Sequence, residues 1–176
     1  MLCACRGAAQ RREEPDQKQS FFLSPPTPLP QTLTGAYVFT ADLVRAMRPP
    51  PPGMSIDFVR AASYAGTAAA SLPRITLTAS KIPISGRHVI VVEDIVDTGA
   101  TAAALEAEIL AQGAASVAVV ALLDKPAGRA RCKSEAGRSF VPAHAAFQVG
   151  DEFVVGYGLD WDEEERHWGY VGVVDG

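Results

Sequence analysis

Three carboxylates and two hydroxyls fall within nine residues, Glu93-Asp94-Ile95-Val96-Asp97-Thr98-Gly99-Ala100-Thr101. The apolar run Val89-Ile90-Val91-Val92 precedes them, and an Ala/Leu-rich segment, 102–112, follows. That order reads as a buried strand, an acidic loop and a helix start. The first N–H groups of a helix lack intrahelical partners, and the helix dipole adds positive character there. Small residues such as Gly99 let an anion reach those donors, and Thr98 and Thr101 add hydroxyls. The carboxylates repel a phosphate but suit hydroxyls, a divalent cation or a proton. The implied ligand carries a phosphate at one end and hydroxyls or a metal-bound pyrophosphate at the other. No lysine follows Gly99, so this is not a Walker A loop. Asp97-Thr98-Gly99 also matches the aspartic protease triplet. That reading needs strands after the motif, and 102–112 is helix-forming throughout.

The surrounding elements must place this loop. Residues 1–33 are polar, then proline-rich (Pro25, Pro26, Pro28, Pro30), and read as a disordered or extended arm. Residues 34–176 read as one domain. Ala36–Met47 is an amphipathic helix with Asp42 and Arg45 on its polar side, stopped by Pro49 to Pro52. Met54–Val59 is a strand, Ala61–Ser71 a small-residue loop, Arg74–Thr78 a further strand and Ser85-Gly86 a turn. Strand 88–93, helix 101–112 closed by Gly113, and strand 117–123 follow. Phe153–Val155 and Tyr170–Val174 are late short strands. Strands interleaved with helices predict an α/β fold with a mainly parallel sheet. The acidic loop then lies at the carboxyl end of a central strand, where such sheets bind ligands.

Composition narrows the class of partner. The 176 residues suffice for one substantial core. A net charge of −4 argues against nucleic acid and anionic membranes as partners. Val117–Leu123, the longest strongly apolar stretch, is far too short to span a membrane. Cys3, Cys5 and Cys132 form neither a disulfide framework nor a zinc site, which suits a reducing, cytoplasmic setting. No apolar stretch follows the basic start as a secretory signal requires, and Glu13, Glu14 and Asp16 spoil a transit peptide.

Residues Val91 to Thr101 resemble the phosphoribosyl pyrophosphate (PRPP) motif of type I phosphoribosyltransferases. The Glu93-Asp94 pair resembles the hypoxanthine/guanine branch. Leu122-Leu123-Asp124-Lys125-Pro126, then Asp151-Glu152-Phe153-Val154-Val155-Gly156-Tyr157-Gly158-Leu159-Asp160, then Arg166, extend the likeness in the right order. The resemblance implies a Rossmann-like type I phosphoribosyltransferase fold with a small hood, assembled as a homodimer or homotetramer. It implies purine salvage: transfer of the phosphoribosyl group from PRPP to a 6-oxopurine, with Mg²⁺ as cofactor. Glu93 and Asp94 would hold the ribose hydroxyls with Mg²⁺ nearby. Asp97 would be the general base near the purine N7, and Asp97, Thr98, Gly99, Ala100 and Thr101 would cradle the 5′-phosphate. Lys125 would donate to the oxygen on C6, Phe153 would stack on the purine, and the backbone of Val154 and Asp160 would meet its edge. Asp160 would also hold a second Mg²⁺. Thr34, Gly35, Ser63, Tyr64 and Arg166 would border the pyrophosphate, with Ser63-Tyr64 on a closing loop.

The chain departs from the family pattern in four places. Thr34 stands where a Leu-Lys-Gly loop would have its lysine. Pro28-Leu29-Pro30-Gln31-Thr32 replaces an apolar strand, and proline disfavours a central strand. An Ala/Gly-rich insertion falls around 134–146, and the loop after Tyr64 is Ala-rich without the usual acid. A second reading is therefore a shortened paralogue or isoform that binds PRPP or nucleotide without turnover.

Overall fold

The alternation of strand and helix folds into one six-stranded sheet in the computed structural model, which describes residues 28–32, 35–61, 77–78 and 83–174. The elements are β1 (Pro28–Thr32), α1 (Tyr37–Ala46), β2 (Ser55–Ala61), β3 (Leu77–Thr78), β4 (His88–Val96), α2 (Ala100–Ala111) and β5 (Ser116–Asp124). A 3₁₀ helix (Pro126–Arg131), α3 (Glu135–Arg138), β6 (His144–Gln148), β7 (Val154–Val155) and β8 (Gly172–Val173) complete it. The sheet order is β3-β2-β1-β4-β5-β6, parallel throughout except for the β2–β3 edge pair. β7 and β8 form a separate antiparallel ribbon, the expected small hood.

Residue alternation in β4 feeds two cores. Val89 and Val91 pack with Leu105 and Ile109 of α2 on one face. Val92 packs with Phe39 of α1 and with Leu122, Val154, Tyr157 and Leu159 on the other. Leu105 and Ile109 are fully buried, and each such side chain contributes about 1.5–3 kcal/mol. The Tyr157 hydroxyl donates to Asp42 Oδ2 at 2.7 Å, tying the hood to α1.

One expectation is corrected. The proline-rich stretch does not leave its sheet position empty: β1 lies between β2 and β4, in register with β2 from Pro28↔Ser55 to Thr32↔Val59. In a strand the N–H groups point alternately to the two neighbours. Pro28 and Pro30 share one parity, so both missing donors face the same neighbour and the other edge keeps its donors. Residues 28–32 are therefore part of the sheet. The Ala/Gly-rich insertion around 134–146 has secondary structure of its own. It carries α3 and leads into β6, which pairs in parallel with β5. All of β6 is exposed, so no apolar alternation announces it. Residues 1–27, Thr34 and Ser63-Tyr64 lie outside the described residues.

Candidate active site

The order β3-β2-β1-β4-β5-β6 reverses direction between β1 and β4, and doubly wound sheets bind ligands at such a switch point, beyond the carboxyl ends of the strands. The carboxyl end of β1 leads to Gly35. β4 runs three residues past the expected 93, so Glu93 and Asp94 lie within the strand itself and only Asp97-Thr98-Gly99 form the loop. Gly35 is buried, and a β-carbon there would collide with the Asp94 carboxylate. Only glycine allows this approach of the two strand ends.

Strand pleating separates the paired acids. Glu93, 5% exposed, lies on the α2 side. It lines a cavity of about 100 Å³ together with Asp97, Thr98, Gly99 and Thr101. A wider groove of about 420 Å³ lies between α2 and α3 but includes none of the loop carboxylates. Asp94 points to the α1 side, within electrostatic range of Arg166 and Asp160. Burial pushes its carboxyl above the usual carboxylate range, aided by Asp160 and opposed by the Ile95 amide, which donates to it at 2.8 Å, and by Arg166. Arg166 pairs with Asp160 at 3.0 Å and donates to the Gly158 carbonyl at 2.9 Å. Gly35, Asp94, Asp160 and Arg166 thus meet in one corner.

The raised pKa of Asp94 has a measurable consequence. Folding favours its neutral form, so its contribution to stability is present at low pH and lost as pH rises through the folded pKa. Asp94→Asn keeps the Oδ1 acceptor and never ionises. It is expected to raise Tm at pH 7 by about 2–4 °C, with the gap closing below pH ~4. Thermal melts across pH check this; a gap constant with pH contradicts it.

The helix start carries no side-chain cap. Gly99 is the N-cap of α2 with φ 76°, a left-handed conformation, and neither Asp97 nor Thr98 takes the capping role. Only a long contact reaches the first turn, Ala100 N to Thr98 Oγ1 at 3.4 Å. The amide end of α2 therefore opens on the small cavity with its anion-attracting character available.

Lys125 begins the base-side segment and is 7% exposed. Its amide donates to Val96 O at 2.9 Å, which places it beside the acidic loop. Among the described residues no hydrogen bond or ion pair is made by its side-chain amine, an arrangement costly unless a ligand oxygen completes it. Phe153 is 55% exposed and meets Trp161 with ring centroids 5.8 Å apart, leaving aromatic surface open to solvent. Val154 is buried and paired with Val173.

The structure brings together Asp97, Thr98, Gly99, Ala100, Thr101 and Lys125 on one side of the switch point, and Gly35, Asp94, Asp160 and Arg166 on the other. Glu93 does not join Asp94 and Asp160, and no cluster of three or more metal-ligating side chains occurs among the described residues. Two carboxylates remain for a hard cation. That suits Mg²⁺, which takes one or two protein carboxylates and completes its shell with substrate oxygens. Several participants escape sequence reading. Arg131 pairs with Asp97 at 2.6 Å and also with Asp151, whose carboxyl it holds below the usual range. Arg129 anchors the loop backbone, and Trp161 flanks Phe153. The one local hint is that Arg129 follows Lys125 by four residues, a helical turn.

Fold and site define an α/β protein of the doubly wound class with its ligand site at the switch point. The chain belongs to the phosphoribosyl transferase family: residues 4–160 match the phosphoribosyl transferase domain. That match extends into the segment read as an arm. The hypoxanthine phosphoribosyltransferase of Haemophilus influenzae is 36% identical over 81% of this chain and 74% of its own length. The hypoxanthine-guanine phosphoribosyltransferase of Streptococcus pneumoniae is 39% identical over 81% of this chain and 73% of its own. Among solved structures, the Leishmania donovani hypoxanthine-guanine enzyme superposes with a TM-score of 0.74 at 31% identity, covering 89% of this chain and 83% of its own. A Trypanosoma cruzi hypoxanthine phosphoribosyltransferase mutant complexed with IMP gives 0.73 at 34% identity, over 87% and 75%.

Proposed function

We propose that this protein is a purine-salvage phosphoribosyltransferase that moves the 5-phosphoribosyl group of PRPP onto N9 of hypoxanthine or guanine, releasing pyrophosphate with IMP or GMP. The observation that carries this reading is the juxtaposition, across the β4 and β5 ends, of an uncapped helix start with a buried lysine whose amine makes no hydrogen bond among the described residues. The first suits a phosphate, and the second suits a single acceptor such as the oxygen on C6 of a 6-oxopurine. Adenine presents an amino group at that atom, and an amine facing an ammonium gains no hydrogen bond.

The residues then divide the work. Thr98 to Thr101 and the first amides of α2 hold the 5′-phosphate. Glu93 and Asp94 accept from ribose hydroxyls, from opposite faces of β4. Asp97 takes or steadies the proton at purine N7 as N9 attacks C1. Phe153 offers its face to the ring, and the backbone of Val154 and Asp160 meets the base edge. Asp94 and Asp160 are the carboxylates for Mg²⁺, which when bound neutralises charge on the departing pyrophosphate. Arg166 and Gly35 border that group, from which water must be kept as the oxocarbenium-like transition state forms.

Purified protein with PRPP, Mg²⁺ and hypoxanthine is expected to form IMP, and with adenine essentially no AMP. A Tm that rises with PRPP without any nucleotide formed would overturn the transfer reaction. Residues 34–176, with the strand at Pro28–Thr32, act as the phosphoribosyltransferase domain, working as a homodimer or homotetramer in the cytoplasm without nucleic-acid or membrane partners. No helix among the described residues is long and apolar enough to cross a membrane. Light scattering on the purified chain reads the assembly.

A further inference from the structure

Arg129 is the most heavily bonded side chain of the molecule's described part, and the reaction as laid out gives it no role. It is 11% exposed and projects from the 3₁₀ helix beneath the two loops of the site. Its Nε donates to Phe140 O at 3.1 Å. Its Nη1 donates to Val96 O at 2.7 Å, to Lys125 O at 3.1 Å and to Asp97 O. Its Nη2 is ion-paired with the buried Asp124 carboxylate.

Three carbonyls from two different loops thus converge on one nitrogen. Without a cation between them their dipoles would repel and the loops would part. Two of the three belong to Asp97 and Lys125. Fixing a residue's carbonyl fixes its ψ and so the direction in which the chain presents its side chain. On the reading above, those side chains must meet the N7–H and the oxygen on C6, a donor and an acceptor side by side on one purine. Their mutual placement has little tolerance, because a misplacement of about 1 Å costs roughly 10²-fold in rate.

We propose that Arg129 is a positioning residue that locks Asp97 and Lys125 into one rigid unit, and so sets both turnover and the preference for 6-oxopurines. The inference rests on the proposed transfer reaction. An ordinary structural arginine would add only stability. A positioning arginine acts on kcat and on base choice, and it needs the planar five-donor fork that lysine lacks.

The test compares wild type, Arg129→Lys and Ile109→Val, the last a fully buried core change remote from the site. Arg129→Lys is expected to lower kcat at least ~10-fold, leave the KM for PRPP within about twofold, and narrow the hypoxanthine-to-adenine ratio of kcat/KM. Ile109→Val is expected to lower Tm with kcat and selectivity unchanged. Wild-type kcat and selectivity in Arg129→Lys overturn the inference, as does an equal kinetic loss in Ile109→Val. If Arg129→Lys does not fold, Asp124→Asn weakens the pair that seats the fork. A reduced hypoxanthine-to-adenine ratio is expected there, and an unchanged one overturns the inference. An inactive wild type instead overturns the transfer reaction itself.

Discussion

Asp97→Ala is expected to lower kcat by about 10²–10⁴-fold while the protein stays folded. The size follows from the role of a positioned proton acceptor whose removal leaves binding intact. The intact fold follows from the surroundings. The Asp97 side chain is 42% exposed and its partner Arg131 is 46% exposed, and an ion pair of that kind contributes at most about 1 kcal/mol. The backbone carbonyl of Asp97 is held by Arg129 whatever the side chain, so the loop keeps its course. The measurement is steady-state IMP formation beside a thermal melt. A kcat within a few-fold of wild type would remove Asp97 from the proton-transfer step, whereas a collapse of Tm would assign it to the fold.

Lys125→Met should separate stability from function in the opposite sense. Methionine matches the aliphatic stem of lysine but needs no hydrogen-bond partner. The amine it replaces is buried and has no partner among the described residues, so the variant is expected to melt higher than wild type. Base recognition should suffer: a charged hydrogen bond contributes about 1.5–3 kcal/mol. kcat/KM for hypoxanthine should therefore fall by about 10–100-fold, with the KM for PRPP nearly unchanged. Selectivity over adenine should narrow by a similar factor. A variant that loses stability, or one that keeps full selectivity, would show that Lys125 is a packing residue. Competition assays with the two bases, beside calorimetry, read both quantities.

The two variants probe opposite ends of one arrangement. Asp97 is exposed and partnered by Arg131; Lys125 is buried, and among the described residues its amine makes no hydrogen bond. A ligand spanning them would displace an exposed, weak ion pair at one end and satisfy a buried donor at the other. The first change costs at most about 1 kcal/mol, and the second favours binding. The raised carboxyl of Asp94 belongs to the same pattern, since a cation beside it and Asp160 would relieve the repulsion that burial enforces.

Much of this could be read from local order in the chain. The acidic loop and helix start are contiguous, and their chemistry depends on residues within two turns of one another, so residues 91–101 by themselves indicate a phosphate beside hydroxyls. The boundaries of α2 and β5 follow to within a residue from hydrophobic runs and Gly113, whereas β4 runs to Val96, three residues past the expected 93, because the pairing with β5 continues through Glu93 to Val96. The strand at Pro28–Thr32 does not. Proline propensity argues against it locally, and it becomes acceptable only because both prolines face the same neighbour and the tertiary ladder supplies the other edge. β6 likewise has no apolar face of its own and exists through its ladder with β5.

Which residues lie near which was decided by the tertiary structure alone. Adjacent in sequence, Glu93 and Asp94 diverge because strand pleating sends them to opposite faces. Asp94 and Asp160, 66 positions apart, share one corner because the hood folds back over the β1–β4 switch point. Arg129 reaches the acidic loop because parallel β4 and β5 end side by side. The sequence by itself determined the kinds of group available and the ligand chemistry they favour, since those are properties of residue types and short spacings. The distances between those groups, and therefore which can act together on one substrate, are long-range contacts that exist only once the sheet has closed.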